Sequence, residues 1–124
     1  MRDGIEVRDV TRLDGEAGAF AGRFSVPADH AILRGHFPGA PLVPGVQLLA
    51  AAAAAASLAS GRPLAIAAID DVRWHAPVPP AAEVELQAEL APEPRGLACA
   101  GAWLRDGERV AAFRMVLRPE RGQS

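Results

Sequence analysis

The alternation of apolar and polar side chains is most regular between residues 83 and 90. Apolar residues occupy the even positions from Val84 to Leu90, and acidic or amide residues occupy the odd positions. This period of two predicts a strand over Glu83–Leu90 with one buried and one solvated face. Looser runs predict three more strands in the second half of the chain: Leu64–Trp74, Leu97–Arg105 and Arg109–Leu117.

Turn signals join two pairs of the predicted strands. Ile5–Leu13 alternates loosely between apolar and charged residues, Asp14-Gly15 is a turn signal, and Ala19–Val26 reads as a returning strand. Asp106-Gly107 predicts a tight hairpin between the last two strands of the chain.

One long helix is predicted over Gly45–Ser60, because this segment is mostly alanine, the best helix former. Pro44 suits the first turn, where its missing N–H costs nothing, and Gly61 supplies the stop. An alanine helix is narrow, so other elements can approach its axis closely. The order β-β-α-β-β-β-β predicts an α+β fold in which the helix covers one face of an antiparallel sheet.

The length of 124 residues predicts a single domain, 1–124, with one core. Half of the residues are apolar, but 27 of them are alanine, so the core is thin. Burying a further face against a second subunit would help to stabilise such a core.

Residue usage excludes several classes of function. The 13 basic residues are all arginine, which excludes Schiff-base chemistry and a P-loop lysine. The net charge of −2 arises from scattered single charges, a pattern that does not fit a nucleic-acid binder. Three histidines and one cysteine at no ligand-like spacing predict no metal site, and the lone Cys99 cannot form an intrachain disulfide.

No segment predicts export or membrane insertion. The first ten residues are charged rather than apolar. Val43–Ala59 is the most apolar stretch, but it consists mostly of alanine, and about 20 strongly apolar residues are needed to span a bilayer. We therefore expect a cytoplasmic protein.

Candidate chemistry is concentrated in residues 34–46, which read RGHFPGAPLVPGV. Prolines and glycines make this a stiff, sharply turning loop directly before the helix. His36 therefore lies near the free N–H groups and the positive dipole end of a helix. An imidazole can abstract a proton while N–H groups stabilise an oxyanion. A loop histidine that only caps backbone groups is the alternative.

The motif His36–Gly39, followed by Pro44–Val46, resembles the signature of the hotdog-fold (3R)-hydroxyacyl-[acyl-carrier-protein] dehydratases of fatty-acid synthesis. Residues 69–78 resemble a strand of that family that ends in a Pro-Val pair. The resemblance extends from about Val26 to Leu117. The lead-in from Pro27 to His36 is most similar to the dehydratases of aryl-polyene pigment clusters.

The resemblance implies a hotdog dimer, with the two sheets joined edge to edge and the helices inside. It also implies a substrate: an acyl chain that is bound to the phosphopantetheine arm of acyl carrier protein and enters a tunnel at the dimer interface. No metal or diffusible cofactor is implied. The pocket residues expected on this basis are Phe37, Val43, Ala50 and Trp74.

The resemblance further implies roles for individual residues. His36 would take a proton from the carbon next to the thioester carbonyl, while the backbone N–H of Gly45 holds the thioester oxygen. An acidic side chain from the partner's helix would then assist departure of the hydroxyl group as water.

The sequence departs from the family at this acid. The family's helix acid lies 14 residues after the histidine, and that position here is Ala50, followed by six further alanines. Gln47, one turn earlier on the same helix face, can donate a hydrogen bond but cannot transfer a proton at neutral pH.

Three interpretations follow from the missing acid. In the first, the chain is an active dehydratase in which water, Gln47, Asp70 or Asp71 helps the hydroxyl group to leave. In the second, it pairs with a related subunit that supplies the acid opposite His36. In the third, it is a non-catalytic hotdog subunit that binds an acyl chain or stabilises a partner. A thioesterase is a further alternative, although such enzymes usually need a carboxylate to orient water.

The remaining candidate residues have structural interpretations. His30 and His75 are expected to be structural, and Trp74 to belong to the core or to the tunnel wall. At least one of Asp70 and Asp71 should face solvent or pair with Arg73. Cys99 is expected to be a small buried apolar residue.

Overall fold

The computed structural model describes residues 7–15, 17–26, 43 and 45–120. They form one antiparallel five-stranded sheet and one helix, and the spatial order of the strands is β1-β3-β4-β5-β2. The elements, in chain order, are β1 (Gly18–Phe24), α1 (Gly45–Ser60), β2 (Leu64–Trp74), β3 (Val84–Glu93), β4 (Gly96–Arg105) and β5 (Glu108–Pro119).

The bounds predicted for the helix and for the strand that follows it are confirmed, and the other strands differ at their ends. The helix occupies Gly45–Ser60, as predicted from the proline before it and the glycine after it. The strand that follows occupies Leu64–Trp74, also as predicted. The predicted hairpin at Asp106-Gly107 is also confirmed, with φ angles of 52° and 84° at these two residues. Two successive positive φ values match the twist of a two-residue hairpin turn.

The predicted strand Ile5–Leu13 is wrong for the residues that the structure describes. Residues 7–13 form only an isolated bridge, between Arg8 and Arg23, together with a hydrogen bond from the Thr11 N–H to the carbonyl oxygen of Ala21. Asp9 has a φ of 54°, which interrupts the extended backbone that a ladder requires. The segment nevertheless runs antiparallel to β1, as the turn signal at Asp14-Gly15 predicted.

The helix packs against one face of the sheet through its alanines. Ala51, Ala52, Ala55 and Ala56 are fully buried in a cluster that includes side chains from all five strands. Trp103 from β4 is also fully buried, and its indole N–H donates to the carbonyl oxygen of Leu48 at 2.9 Å. The small alanine side chains thus allow a large ring to reach the helix backbone, as the narrow helix predicted.

Strand β2 contains two irregularities that decide which of its residues face the helix. Its pairing with β5 shifts between Ile66 and Ala68 and again between Ile69 and Asp71, so that one extra residue is accommodated at each point. Ile66, Ile69 and Val72 lie opposite core residues of β5 and therefore share one face, although they are spaced by three.

The two edges of the sheet differ. Residues 8–11 hydrogen-bond along β1 and cover that edge. On the side of β2 that faces away from β5, no strand pairs with it in the described part of the chain. Among the described helical residues, none forms a segment that is long and apolar enough to cross a bilayer.

Candidate active site

Five of the predicted site residues lie within the described part of the chain: Val43, Gly45, Gln47, Ala50 and Trp74. His36 and Phe37, like His30, lie outside the described residues, so their predicted roles stay predictions. The site is therefore built here from the helix start and from the elements that contact it.

Gly45 is the first residue of α1. The first four N–H groups of an α-helix have no acceptor within the helix, and they carry the positive end of its dipole. The first turn of α1 contains no acidic residue that would neutralise this end. The Gly45 amide is therefore in a position that favours a negatively charged oxygen, as an oxyanion donor requires.

Trp74 packs directly on Gly45. A Cβ atom added to Gly45 would lie 2.8 Å from Cη2 and 2.9 Å from Cζ2 of the Trp74 ring. A hydrogen atom is thus the largest substituent that fits between the helix start and the indole. Trp74 is 53% exposed, so the expectation that it belongs to the core is wrong. It forms a wall beside the Gly45 amide.

Ala50 lies on an exposed face of α1. Val46 and Leu58 are exposed on the same face, and Ala54, between Ala50 and Leu58, is half-buried. These four residues follow each other at intervals of four and so form one stripe along the helix. Gln47 is half-buried beside it. The side chain at position 50 thus points away from the chain's own core.

Val43 is buried, and it ties the approach to the helix to a distant turn. Its N–H donates to the carbonyl oxygen of Val78 at 2.9 Å. The chain on the other side of the predicted loop is tied nearby, because the Ala81 N–H donates to the carbonyl oxygen of Val26 at 2.7 Å. Sequence reasoning did not single out Val26, Val78 or Ala81.

Both aspartates of β2 pair with arginine side chains. Asp70 accepts two hydrogen bonds from Arg95, at 3.0 and 2.8 Å, and this guanidinium lowers the pKa of the carboxyl group. A carboxylate held in its ionised form cannot donate a proton at neutral pH. Asp71 is exposed and pairs with Arg73 at 3.4 Å, as the sequence predicted.

The other candidate side chains have structural roles. His75 is exposed, and its backbone N–H donates to the carbonyl oxygen of Val110. Cys99 is buried as expected, and burial raises the pKa of its thiol to about 12, so it stays protonated. A thiol in that state is not a nucleophile.

A cavity of about 500 Å³ lies near the opposite end of α1 from Gly45. Its lining combines residues of the exposed helix stripe with the start of β2 and the chain ends: Val7, Ala54, Ser57, Leu58, Pro63, Leu64 and Glu120. None of these residues was predicted to line a pocket, because the unbroken run of alanines at residues 50–56 gives little periodic signal of which helix face is exposed.

Comparison with known proteins gives a consistent result. A family model described as ApeI-like, for the ApeI dehydratase, matches residues 13–102. The chain is 38% identical over 96 residues to the 3-hydroxyacyl-[acyl-carrier-protein] dehydratase FabZ of Sodalis glossinidius, an alignment that covers 69% of this chain and 64% of that protein. It is 33% identical over 115 residues to the FabZ protein of Yersinia enterocolitica, covering 84% of this chain and 68% of that one.

Solved structures share the fold. The dehydratase heterocomplex ApeI:P from Xenorhabdus doucetiae superposes with a TM-score of 0.67 at 16% identity, covering 95% of this chain and 99% of that one. The E. coli PaaI protein from the phenylacetic acid degradation operon gives a TM-score of 0.65 at 18% identity, covering 90% and 82%. The antiparallel sheet with its single helix is thus a hotdog fold, as predicted. Because the family model matches residues 13–102, which are most of this chain, the chain belongs to the ApeI-like dehydratase family.

Proposed function

We propose that the chain removes water from 3-hydroxyacyl thioesters carried on acyl carrier protein, with His36 as the base. The imidazole takes the proton from the carbon next to the thioester carbonyl. The electron pair of that C–H bond forms the new double bond, and the hydroxyl group leaves as water with a proton taken from solvent, since Ala50 supplies no acid. The FabZ relatives carry the name of this activity, and the alignment spans 64% of the first of them.

The position of Gly45 is the structural observation that carries the proposal. Removal of the proton places negative charge on the thioester oxygen, which must be stabilised while the base acts. Gly45 offers an N–H at the start of a helix whose first turn is free of acidic residues. The Trp74 ring packs against the Cα of the same residue and leaves no room there for a side chain.

The test is turnover of a 3-hydroxyacyl-[acyl-carrier-protein] by the purified protein, measured beside the His36→Ala variant. Removal of a positioned base lowers the rate by about 10²–10⁴-fold. We expect the parent to form the unsaturated thioester and the variant to lose this activity. Equal turnover by both proteins would exclude His36 as the base.

A second candidate function follows from the position of Ala50. It lies on the exposed helix stripe with Val46 and Leu58, and β2 has a free edge in the described part of the chain. Both features are suited to a second hotdog subunit, either another copy of this chain or a relative that bears the acid. One of the structural relatives, ApeI:P, is a dehydratase heterocomplex.

A mixed dimer would contain one complete site and one incomplete site. The complete site combines His36 of this chain with the partner's acid, and the other site lacks an acid because it faces Ala50. Co-expression with an acid-bearing relative should therefore give a stable mixed dimer whose activity depends on His36. Activity that is unchanged by His36→Ala in this dimer would rule out the shared site. If no mixed dimer forms, the heterodimer is excluded and a dimer of two copies of this chain is the alternative.

A further inference from the structure

The chain contains three Val-Pro pairs, at residues 26–27, 43–44 and 78–79. They are far apart in sequence, but the three valines are all buried and belong to one core cluster. Two of them bracket the predicted His36 loop, and the third begins the turn between β2 and β3. A residue before proline is restricted to extended conformations, so each valine presents its backbone groups in a defined direction.

Two hydrogen bonds connect the first two pairs to the turn that begins at the third pair. The Val43 N–H donates to the carbonyl oxygen of Val78, and the Ala81 N–H donates to the carbonyl oxygen of Val26. Val78 and Ala81 are only three residues apart. The chain that enters the His36 segment and the chain that leaves it are therefore tied to the same short turn.

The turn itself depends on an unusual backbone conformation. Ala81 has a φ of 65°, and the Ala82 N–H donates to the carbonyl oxygen of Pro79 at 3.2 Å. A side chain at positive φ costs roughly 1–2 kcal/mol unless it is glycine. Ala81 is exposed, so no packing of its methyl group in the core explains this conformation. The positive φ therefore occurs at the residue whose N–H donates to Val26.

We propose that Val26, Val43, Val78 and Ala81 form a backbone clamp that fixes the two ends of the segment bearing His36. This role rests on the proposed function of His36 as the base. Gly45 follows Val43 by two residues, so the clamp lies directly before the start of the helix. Ala81 is then a positioning residue: it touches no substrate and acts through the backbone of Val26 and Val43.

Substitutions at Ala81 test the clamp without altering the core. Ala81→Gly keeps the N–H and favours the positive φ, whereas Ala81→Val keeps the N–H and strongly disfavours that φ. The matched control is Asp106→Val in the hairpin between β4 and β5, because Asp106 is also exposed and has a φ of 52°. Both variants place valine at a positive φ, but only one of them touches the clamp.

The first readout is hydrogen exchange of the Val43 amide, measured by NMR, with the Cys99 amide in β4 as the reporter of global unfolding. We expect the Val43 amide to exchange at least tenfold faster in Ala81→Val than in the parent. It should be unchanged in Ala81→Gly and in Asp106→Val. Equal exchange of the Val43 amide in the two valine variants would overturn the clamp.

The second readout is the split between kcat and KM for the dehydration. We expect Ala81→Val to lower kcat at least tenfold with KM within twofold of the parent, while Ala81→Gly and Asp106→Val retain the parent's kcat. A kcat that is unchanged in Ala81→Val, or equally reduced in Asp106→Val, would overturn the positioning role. If the parent shows no turnover, the proposed function fails, and the exchange of the Val43 amide still decides whether the clamp exists.

Discussion

At the scale of a single residue, Gly45 is constrained both by its place at the start of the helix and by its contact with Trp74. Its amide begins the helix, and its Cα lies against the exposed Trp74 ring, so that a Cβ would come within 2.8 Å of the indole. The Pro-Gly pair at the helix start is part of the motif that indicates the family. The sequence could therefore place Gly45 at the site, but it could not show that Trp74 is the residue that a larger side chain would displace.

The effect of Gly45→Ala on the free energy of unfolding should change sign when Trp74 is replaced. With Trp74 present, the added methyl group overpacks the contact, and we expect a loss of about 1 kcal/mol in the free energy of unfolding. In a Trp74→Ala background the contact is absent, and alanine should stabilise the helix by up to about 1 kcal/mol. Denaturant unfolding of the four proteins measures both values. An equal effect of Gly45→Ala in the two backgrounds would show that the Trp74 ring does not constrain this residue.

At the scale of elements, strand β2 has the bounds that the sequence predicts but a pairing register that the sequence analysis did not predict. Its end points follow from Gly61 and from the loop after Trp74, and they were predicted correctly. The two register shifts were not predicted, although the spacing of three between Ile66, Ile69 and Val72 is their signal. A strand without shifts would turn Ile69 to the opposite face from Ile66 and Val72.

An ion pair lies at the second of these shifts. Asp70 lies at the irregularity, and Arg95, in the turn between β3 and β4, binds it with two hydrogen bonds. Arg95 also binds Glu93 at 2.7 Å. The pair thereby connects the edge strand to a hairpin that is two strands away in the sheet.

The contribution of this ion pair should depend on pH. Arg95 lowers the pKa of both Asp70 and Glu93 from their ordinary values. A lowered pKa stabilises the folded state above the ordinary pKa, and this stabilisation is lost as the pH falls through the lowered value. The difference in Tm between the parent and Arg95→Ala should therefore be constant from pH 8 to about pH 5 and shrink below about pH 4. A difference that grows in acid would contradict this assignment.

The N-terminal segment illustrates a limit of pattern reading at the scale of elements. Residues 7–13 look like a strand because apolar and charged residues alternate, but their pairing with β1 is limited to the bridge at Arg8 and the hydrogen bonds of Thr11. The Leu13 N–H donates instead to the carbonyl oxygen of Ala59 at the end of α1. A contact with a distant helix has no local signal in the sequence, whereas the helix itself is bounded by Pro44 and Gly61 and was predicted to the residue.

At the scale of the whole molecule, the large apolar side chains that are exposed among the described residues lie on one side. Ile66, Ile69 and Trp74 are exposed on the helix-facing side of β2, and Val46 and Leu58 are exposed on α1. The opposite edge of the sheet is covered by residues 8–11. This asymmetry favours β2 and the helix stripe as the face for the dimer that the thin core and the family resemblance predict, and the dimer itself stays a prediction.

A charge placed on this side should prevent association without unfolding the chain. Ile69 is 50% exposed in the single chain, so Ile69→Asp removes little intrachain packing. We expect this variant to have the mass of one chain by light scattering, while the parent has at least twice that mass. Ala91→Asp, an exposed position in β3, is the control and should associate like the parent. Association of Ile69→Asp would move the interface elsewhere.

The central claim is that this chain supplies the base of a dehydratase site and lacks the acid at Ala50. The most direct test is the kcat of Ala50→Glu compared with that of Ala50→Gln, both measured on a 3-hydroxyacyl-[acyl-carrier-protein]. The two side chains have nearly the same size, and only glutamic acid can transfer a proton. We predict that Ala50→Glu raises kcat by about 10²-fold over Ala50→Gln, and that adding His36→Ala abolishes the gain. Equal rates for the two Ala50 variants would contradict the claim.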